Sequence, residues 1–518
     1  MKNYKQLLIA IVLSSGAMLT TSCSDDFLTA NPTEKDAVGG AANETTILND
    51  LASAYQILLM DSYANSNYNS IFLMSDLCSD DIYKGGGNAG DQGQLYKMEN
   101  YNATPAELPS GLWSIYFTGL ARCNNTLIAC DNAVDVEDVT LKRLRGEALT
   151  LRAYYVHLLW KFWGNVPIYD GLLEAPYVTP QLTADEVYAK IMADLDEVIS
   201  GNYLPMTTTG ALLARVNMAT AMMLRARVVL YQKDTSRYAD ITNDMATIIK
   251  NKDYDLMNSF GDIWTDENEF CKESIFESNQ YPEGRTWGGA WSGYGTNYPA
   301  FISPSDLAVA SDAPFGTPKG GWAFGPVRTA TWNMYETGDT RREGSINDFN
   351  DLTKYTYTTR FQNTGYFMAK YCARVGYNQV TSGDNDLNYC NNMRIFRFAE
   401  TLLNYAELVK MDGQAEQQGV SAQDCLDRIR DRAFGDANHR IEATEANIKS
   451  ERRKEFMGEG LRYWDLIRWG DAATVLTEDD NVFQIHRAWT ESKKYLPIPE
   501  SEINKTVGTA YPLVQNPY

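Results

Sequence analysis

The stretch Leu-Lys-Arg-Leu-Arg-Gly-Glu-Ala-Leu-Thr-Leu-Arg-Ala-Tyr-Tyr-Val-His-Leu, residues 141–158, decides the fold class. Its apolar positions follow one another in steps of three and four, which places them on one face of an α-helix. These positions are Leu141, Leu144, Ala148, Leu151, Tyr155 and Leu158. The helix should end near Gly164-Asn165-Val166-Pro167, because glycine can adopt a positive φ and proline cannot continue a helix.

The same spacing recurs along the chain and predicts a scaffold of packed helical hairpins. A second helix should follow Thr183, which stands at capping-box spacing from Glu186. Further helices are predicted from about residue 211 to 230 and over 396–406, with weaker candidates at about 44–60, 110–131, 422–433 and 445–457. We therefore expect a mostly α fold of tetratricopeptide-like hairpins, with long irregular loops and few short strands. The uneven helix starts make any repeat degenerate.

Two stretches interrupt the helical pattern, at about 76–107 and about 279–330, and both are rich in glycine, aspartate and aromatic residues. Long irregular segments on a helical frame usually carry function. The tail over 495–518 contains four prolines. We expect this tail to be an extended strap that lies over the surface.

The N-terminus has the order of a signal peptide. Lys2 and Lys5 are followed by an apolar stretch over 7–13, and small residues then lead to Cys23. The apolar stretch is too short to cross a bilayer as a helix of the mature protein. Small residues directly before a cysteine resemble the bacterial lipobox. An ordinary secretory signal with an incidental cysteine is the alternative.

The lipobox interpretation divides the N-terminus into three parts. Residues 1–22 would be a lipoprotein signal peptide, Cys23 would carry the lipid, and 23–40 would be a lipidated tether. More than one acyl chain holds a protein firmly on a membrane, where a single chain is marginal. The acidic run Ser24-Asp25-Asp26 resembles a signal for placement on the outer face of the outer membrane.

Composition excludes several classes of partner. The formal net charge is −21, from 67 acidic and 46 basic residues, and no basic run offsets it. Nucleic acids and anionic membrane surfaces are therefore poor partners. Seven cysteines remain after Cys23 is assigned to lipid, and the chain has neither C-x-x-C nor H-E-x-x-H. We expect buried free thiols rather than zinc ligands.

Several local patterns occur in one order along the chain. They are Arg122-Cys-Asn-Asn-Thr-Leu, Arg152-Ala-Tyr-Tyr, Gly164-Asn-Val-Pro-Ile, Gly338-Asp-Thr-Arg, Arg397-Phe-Ala-Glu-Thr-Leu-Leu-Asn-Tyr-Ala-Glu, Glu451-Arg-Arg-Lys-Glu-Phe, Gly458-Glu-Gly-Leu-Arg-Tyr-Trp-Asp-Leu-Ile-Arg-Trp-Gly, Tyr495-Leu-Pro-Ile-Pro-Glu-Ser-Glu-Ile and Gln515-Asn-Pro-Tyr. Together these patterns resemble the SusD/RagB family over nearly the whole mature chain. The expected family ending Gln-Asn-Pro-Gly-Tyr lacks its glycine here, which affects only the last turn.

The resemblance implies one SusD-like domain over 41–518, with a helical half at about 41–250 and a loop-rich half at about 251–518. It also implies a cell-surface lipoprotein of the outer membrane that captures oligo- or polysaccharide. Such a protein covers a SusC-like TonB-dependent transporter and delivers the glycan to it. Capture of peptides, or a pure protein-interaction role in the same complex, is the alternative.

We expect no enzyme activity and assign no catalytic residue. A glycoside hydrolase needs two carboxylates at a defined separation, and 67 acidic residues do not single out a pair. The chain also lacks G-x-S-x-G. The charges of segment 451–470 resemble a catalytic cluster. We interpret them as structural, because opposite charges three or four positions apart support a helix.

Two loops combine the flat aromatic rings and polar partners that a sugar requires. The predicted glycan-binding residues are Asp81, Tyr83, Asp91, Gln92 and Tyr96 in the first loop and Trp287, Trp291 and Tyr294 in the second. The alternative for the first loop is a solvated acidic turn. The alternative for the second loop is that its rings pin the loop to the scaffold. The first loop has no Gly-Lys-Ser/Thr sequence for phosphate.

No cofactor is expected, and no metal ligand is assigned. A structural calcium ion would use Asp80, Asp81 and Asp91, but no EF-hand pattern supports it.

Overall fold

The computed structural model describes residues 39–61, 70–289 and 292–518. The signal peptide, Cys23 and nearly all of the tether predicted above lie outside these residues. The described chain is mostly helical with short strands, as predicted. Its helices are α1 (Glu44–Tyr55), α2 (Ile71–Leu77), α3 (Gly93–Glu99), α4 (Gly111–Asp131), α5 (Asp138–Trp163), α6 (Ala184–Ser200), α7 (Met218–Gln232), α8 (Tyr238–Lys250), α9 (Tyr298–Ile302), α10 (Thr329–Asn333), α11 (Arg341–Ser345), α12 (Phe398–Lys410), α13 (Ala422–Phe434), α14 (Glu445–Phe456), α15 (Arg462–Trp469), α16 (Ala472–Val475) and α17 (Glu500–Thr506). Its strands are β1 (Ser274–Ser278), β2 (Ile346–Asp348), β3 (Tyr366–Met368), β4 (Met393–Arg397), β5 (Glu478–Asp480) and β6 (Ile485–Arg487).

Helix α5 lies at the centre of the helical half and confirms the predicted apolar face. It packs against α4 on one side and α6 on the other. The helix ends where Gly164 adopts a φ of 66°. A side chain there would meet the ring of Tyr495 at 2.7 Å. The predicted positions Leu144, Ala148, Leu151, Tyr155 and Leu158 are buried and Leu141 is half-buried, and from Gly146 onward the helix is buried on nearly every side.

Consecutive helices continue this packing in both directions. Helix α1 packs against α4 and α5. Further along the chain, α6 packs against α7, and α7 packs against α8. Helix α8 packs against α12, which also contacts α13 and α14. One helical layer therefore extends from the N-terminal half into the C-terminal half, although about 150 residues of loops and short elements separate α8 from α12 in sequence.

Two predicted helix boundaries are wrong. The third helix does not begin near residue 211, because 210–212 form a single 3-10 turn. Helix α7 begins at Met218, where the side chain of Asn217 accepts a hydrogen bond from the Thr220 amide at 2.8 Å. Phe396 lies in β4, and helix α12 starts at Phe398. The capping box of Thr183 and Glu186 is confirmed.

The two halves of the chain share a core. Arg227 of α7, in the first half, donates two hydrogen bonds to Glu400 of α12, in the second half, at 2.7 and 2.6 Å. The main hydrophobic cluster contains residues of both halves, from Ala42 to Ile498. The division into a single domain over 41–518 stays a prediction.

The C-terminal tail lies across the end of α5. The Trp163 indole donates to the Pro497 carbonyl at 3.2 Å, and the Asn516 amide donates to the carbonyls of Trp163 and Leu496, each at 2.8 Å. The tail is extended on both sides of α17, a helix that the prediction of a continuous strap missed. No helix among the described residues combines the length and apolar composition of a membrane span.

Candidate functional site

Segment 451–470, which we call the signature segment, carries charges that lie in the interior. Their role is structural, as interpreted from their spacing. Glu455 is fully buried and accepts hydrogen bonds from Arg432 at 2.6 Å and Arg397 at 3.2 Å. Glu451 is equally buried and accepts from Arg341 at 2.7 Å. Burial by itself would raise the pKa of Glu455, but these guanidinium groups, Arg432 foremost, lower it to about 2. The carboxylates are therefore held as ion pairs.

The three histidines do not form a catalytic centre with the predicted loops. His157 is buried in α5 with its Nδ1 against the carbonyl of Tyr154, and burial lowers the pKa of His157 well below its usual value. His439 pairs with Asp436 at 3.0 Å, in the connection between α13 and α14. His486 pairs with an aspartate of β5, the strand beside its own.

The first predicted loop has a buried part that corrects two of its candidates. Asp81 is fully buried, and its Oδ1 accepts a hydrogen bond from Arg453 at 2.8 Å. Tyr83 is 6% exposed and stacks on Phe483, with ring centroids 4.4 Å apart. Both side chains are committed to internal partners, so a ligand at the surface does not contact them.

The tip of the first loop remains partly exposed, and Asp91 and Tyr96 there have hydrogen-bond partners within the protein. Asp91 accepts a hydrogen bond from the Gly87 amide at 2.8 Å, which closes the glycine turn. Gln92 precedes α3 with a φ of 51°. The Tyr96 hydroxyl donates to the Gln484 carbonyl at 2.7 Å. These three residues border the loop without forming an open ring face.

The carboxylates considered for calcium are similarly engaged. Asp80 binds Arg462 at 2.9 Å and Arg453 at 2.9 Å, and Asp81 binds the same Arg453. Asp91 lies at the loop tip instead. Within the described ranges, no group of three or more His, Cys, Asp or Glu side chains is placed to hold a metal ion. All seven cysteines outside the N-terminus are free thiols, and five of them are buried.

The second predicted loop is held from below by one buried arginine. The side chain of Arg285 is fully buried, and its guanidinium donates to the carbonyls of Gly295 and Leu59. The side chain of Asn388 accepts from the Arg285 amide at 3.0 Å and donates to its carbonyl at 2.9 Å. The described backbone of the loop around Arg285 is therefore fixed on the scaffold.

The ends of this loop are also joined. The Tyr281 amide donates to the Tyr294 carbonyl at 2.9 Å, and the Tyr294 amide donates to the Glu283 carbonyl at 2.8 Å. Gly293 adopts a φ of 94°, and a Cβ at this position would overlap the backbone nitrogen of Arg285. Only glycine allows this close approach without strain.

Three rings of the second loop face solvent. The exposed fraction is 62% for Trp287, 60% for Tyr281 and 53% for Tyr294. The Trp287 ring lies 5.8 Å from the partly exposed ring of Trp322, at an interplanar angle of 35°. The Trp287 amide donates to Asp384 at 3.0 Å, which places a carboxylate beside the rings. We call Tyr281, Trp287, Tyr294 and Trp322 the aromatic platform.

Trp322 also connects the platform to the first loop. Its ring contacts Phe301, which stacks on Phe324 with centroids 4.1 Å apart. The Gly86 amide donates to the Ala323 carbonyl at 2.8 Å. The structure therefore brings the two predicted loops together, with the segment that contains Trp322 between them.

Two residues of this surface, Trp322 and Tyr281, are not among those predicted from the sequence. Trp322 follows Gly320-Gly321, so it carries the same glycine-before-aromatic signal as the second loop. Tyr281 lies near the start of the second loop and is not among the predicted residues. Trp291, which is predicted, lies outside the described residues.

Replacing Gly293 by alanine should disable the platform. Alanine at a φ of 94° is strained by about 1–3 kcal/mol, and its Cβ would displace the backbone at Arg285. We expect weaker binding of any ligand to the platform, measured by calorimetry. Gly288→Ala is the matched control, because its φ is not in the left-handed region and a Cβ there meets nothing within 4 Å. Equal loss in both variants would contradict this role of Gly293.

The indoles of Trp287 and Trp322 lie side by side near the Asp384 carboxylate, and the exposed rings of Tyr281 and Tyr294 stand at the joined ends of the loop that carries Trp287. Sugar rings offer apolar C–H faces and a rim of hydroxyls, so stacking and hydrogen bonding can act on one ligand.

Comparison with known proteins identifies the family of this chain. The SusD family model matches residues 233–518, and a model described as "starch-binding associating with outer membrane" matches residues 26–230. The SusD-like protein P38 of Formosa agariphila is 22% identical over 75% of this chain and 78% of that protein.

Solved structures extend the likeness. Surface glycan-binding protein A from Bacteroides fluxus is 59% identical, with a TM-score of 0.87 over 92% of this chain and 99% of that one. Surface glycan-binding protein A from Bacteroides thetaiotaomicron, in complex with laminarihexaose, is 38% identical, with a TM-score of 0.84 over 92% of this chain and 100% of that one. By these matches, its helical layer and its signature segment, this chain belongs to the SusD family.

Proposed function

We propose that this chain is a cell-surface glycan-binding protein that captures oligo- or polysaccharide and delivers it to a partner SusC-like TonB-dependent outer-membrane transporter. The observation that carries the proposal is the aromatic platform, whose rings are exposed while the loop beneath them is fixed by Arg285. A preorganised site binds more tightly, because less conformational entropy is lost on binding.

The proposed ligand is a neutral glucan of the laminarin type. The Bacteroides thetaiotaomicron relative was solved with laminarihexaose, and another relative is described as a laminarin-binding SusD-like protein. The platform is suited to such a chain, because aromatic rings stack on uncharged pyranose faces.

We further propose that the protein binds without catalysing a reaction. The most conspicuous acid clusters are held by arginines inside the core, where Glu451 and Glu455 support the fold. Hydrolysis would require a pair of available carboxylates across a glycosidic bond.

Titration of the purified chain with laminarihexaose tests the function. We expect saturable binding by isothermal calorimetry, weaker or no binding to a uronic-acid polysaccharide, and intact hexasaccharide after prolonged incubation. Failure to bind laminarihexaose, laminarin and starch would contradict glycan capture and favour the peptide-capture alternative. Release of shorter sugars would contradict the non-catalytic role.

Lipid anchoring through Cys23 at the outer face of the outer membrane completes the proposal. Metabolic labelling with a palmitate analogue should mark the protein, and Cys23→Ala should remove the label and release the protein from the membrane fraction. Cys271→Ala is the control, because this thiol is partly exposed on the folded domain. Membrane retention of Cys23→Ala would indicate that the cysteine is incidental. Protease accessibility on intact cells tests the outward orientation.

A further inference from the structure

Besides the aromatic platform, the structure has a cavity at the start of α4. This cavity shares no residue with the platform. Its volume is about 620 Å³, within the roughly 300–1,000 Å³ typical of small-molecule sites. Three parts of the chain form its walls: the first turns of α4, the segment 167–179, and the tail from α17 to Leu513. The end of the chain therefore completes a concave site.

The floor of this cavity is a rigid aromatic cluster. Trp113 is 4% exposed, and its ring lies 4.8 Å from Phe117 and 5.2 Å from Trp163. Tyr169 lines the same cavity and is half-buried. Because these rings are packed against the core, their positions are set before any ligand arrives.

The mouth of the cavity carries an exposed ring on strained backbone. Tyr177 is 70% exposed, although it lines a cavity whose other rings are buried or half-buried. Its φ is 62°, and its amide donates to the Glu174 carbonyl at 2.7 Å. A bulky residue rarely adopts a positive φ, and strained positions of this kind are enriched at ligand-binding sites. Here it holds a ring at the cavity mouth.

The polar groups of the cavity favour an uncharged, hydroxylated ligand. Glu502 and Lys505 form an ion pair at 2.7 Å, so their charges offset each other. The hydroxyl-bearing residues Ser114 and Thr179 also line the cavity. A charged ligand would lose hydration here without an unpaired counter-charge. A sugar finds ring faces and hydrogen-bonding partners together.

We infer that this cavity is a second glycan-binding site, which takes pyranose rings of the same neutral glycan as the platform. The inference rests on the proposed function and extends it. Two sites on one chain raise the retention of a long polysaccharide, because release of one contact leaves the other in place. Short oligosaccharides fill the two sites independently.

Tyr177→Ala isolates this site, and Leu172→Ala is the matched control. Leu172 is 54% exposed on the same segment but does not line the cavity. Calorimetry with laminarihexaose should give two molecules bound per wild-type chain and per Leu172→Ala chain, and one per Tyr177→Ala chain. Affinity for laminarin should fall by about tenfold or more in Tyr177→Ala, in line with the gains of linked sites. Tyr177→Phe, which keeps the ring, should retain both sites.

Three other outcomes would each overturn the inference of a second glycan site. One hexasaccharide per wild-type chain, with no change in Tyr177→Ala, overturns the second site and leaves the proposed function intact. No binding to the wild-type chain overturns both. Glycan binding that stays at the wild-type level in Tyr177→Ala, together with lost co-purification of the transporter, identifies the cavity as a protein contact and overturns the glycan assignment.

Discussion

Alanine at Trp287 weakens laminarihexaose binding at the aromatic platform by roughly 30-fold or more, the expected result of removing a central anchor worth about 2 kcal/mol. The indole is 62% exposed, and its ring contact within the platform is Trp322. Binding should therefore fall while the fold is retained. Calorimetry in the Tyr177→Ala background reports the platform alone. Adding Trp291→Ala should abolish the remaining platform binding.

Two further measurements make this result specific. Tyr355→Ala is the control, because Tyr355 is 37% exposed and its ring lies 5.0 Å from Phe349, outside the platform. Its affinity should equal that of the wild type. The Trp287→Ala chain should also still co-purify with the transporter, since that contact is expected on the helical scaffold. Unchanged glycan affinity in the double mutant of Trp287 and Trp291 would refute the assignment of the second loop.

Alanine at Glu455 should lower the free energy of unfolding by about 3–5 kcal/mol, because removing one partner of a buried ion pair leaves uncompensated charge. Glu455 is fully buried between Arg432 and Arg397, so the variant leaves both guanidinium groups short of a counter-charge. Urea unfolding followed by circular dichroism measures the change. The surface pair Arg440–Asp431, in which Arg440 is 48% exposed, is the control. Its removal should cost less than about 1 kcal/mol.

The same carboxyl predicts a pH dependence. The pKa of Glu455 in the folded chain is about 2, below the roughly 4.3 of an unfolded glutamate. Its contribution is therefore complete above about pH 4.3 and decreases as the pH falls toward 2. The difference in stability between wild type and Glu455→Ala should shrink over this range. A difference independent of pH would show that lost packing, rather than lost charge, destabilises the variant.

Local spacing was sufficient to predict the longer helices α1, α4, α5, α6, α7, α12, α13 and α14, but it did not single out α8 or the short helices. The apolar face of α5 and the cap at Thr183 depend on residues three or four positions apart, which neighbour each other in any α-helix. Predictions failed where a competing local structure intervened, such as the Asn217 cap that begins α7. Helix α17 was missed because the surrounding prolines indicated an extended chain.

Ligand-facing residues were harder to predict, because exposure depends on partners far away in sequence. Asp81 and Tyr83 have the composition of a sugar site, yet Arg453 and Phe483 hold them inside. Trp287 has no such cover, and its ring neighbour is Trp322.

The sequence by itself determined the helical scaffold, the family and the expectation of export, since each depends on spacing or on short ordered motifs. Only the tertiary structure decided which aromatic residues form the platform. It also assembled the cavity at the start of α4 from that helix, segment 167–179 and the tail. The physical reason is that helical periodicity is encoded by neighbours along the chain. Burial is set instead by side chains that meet only after the chain has folded.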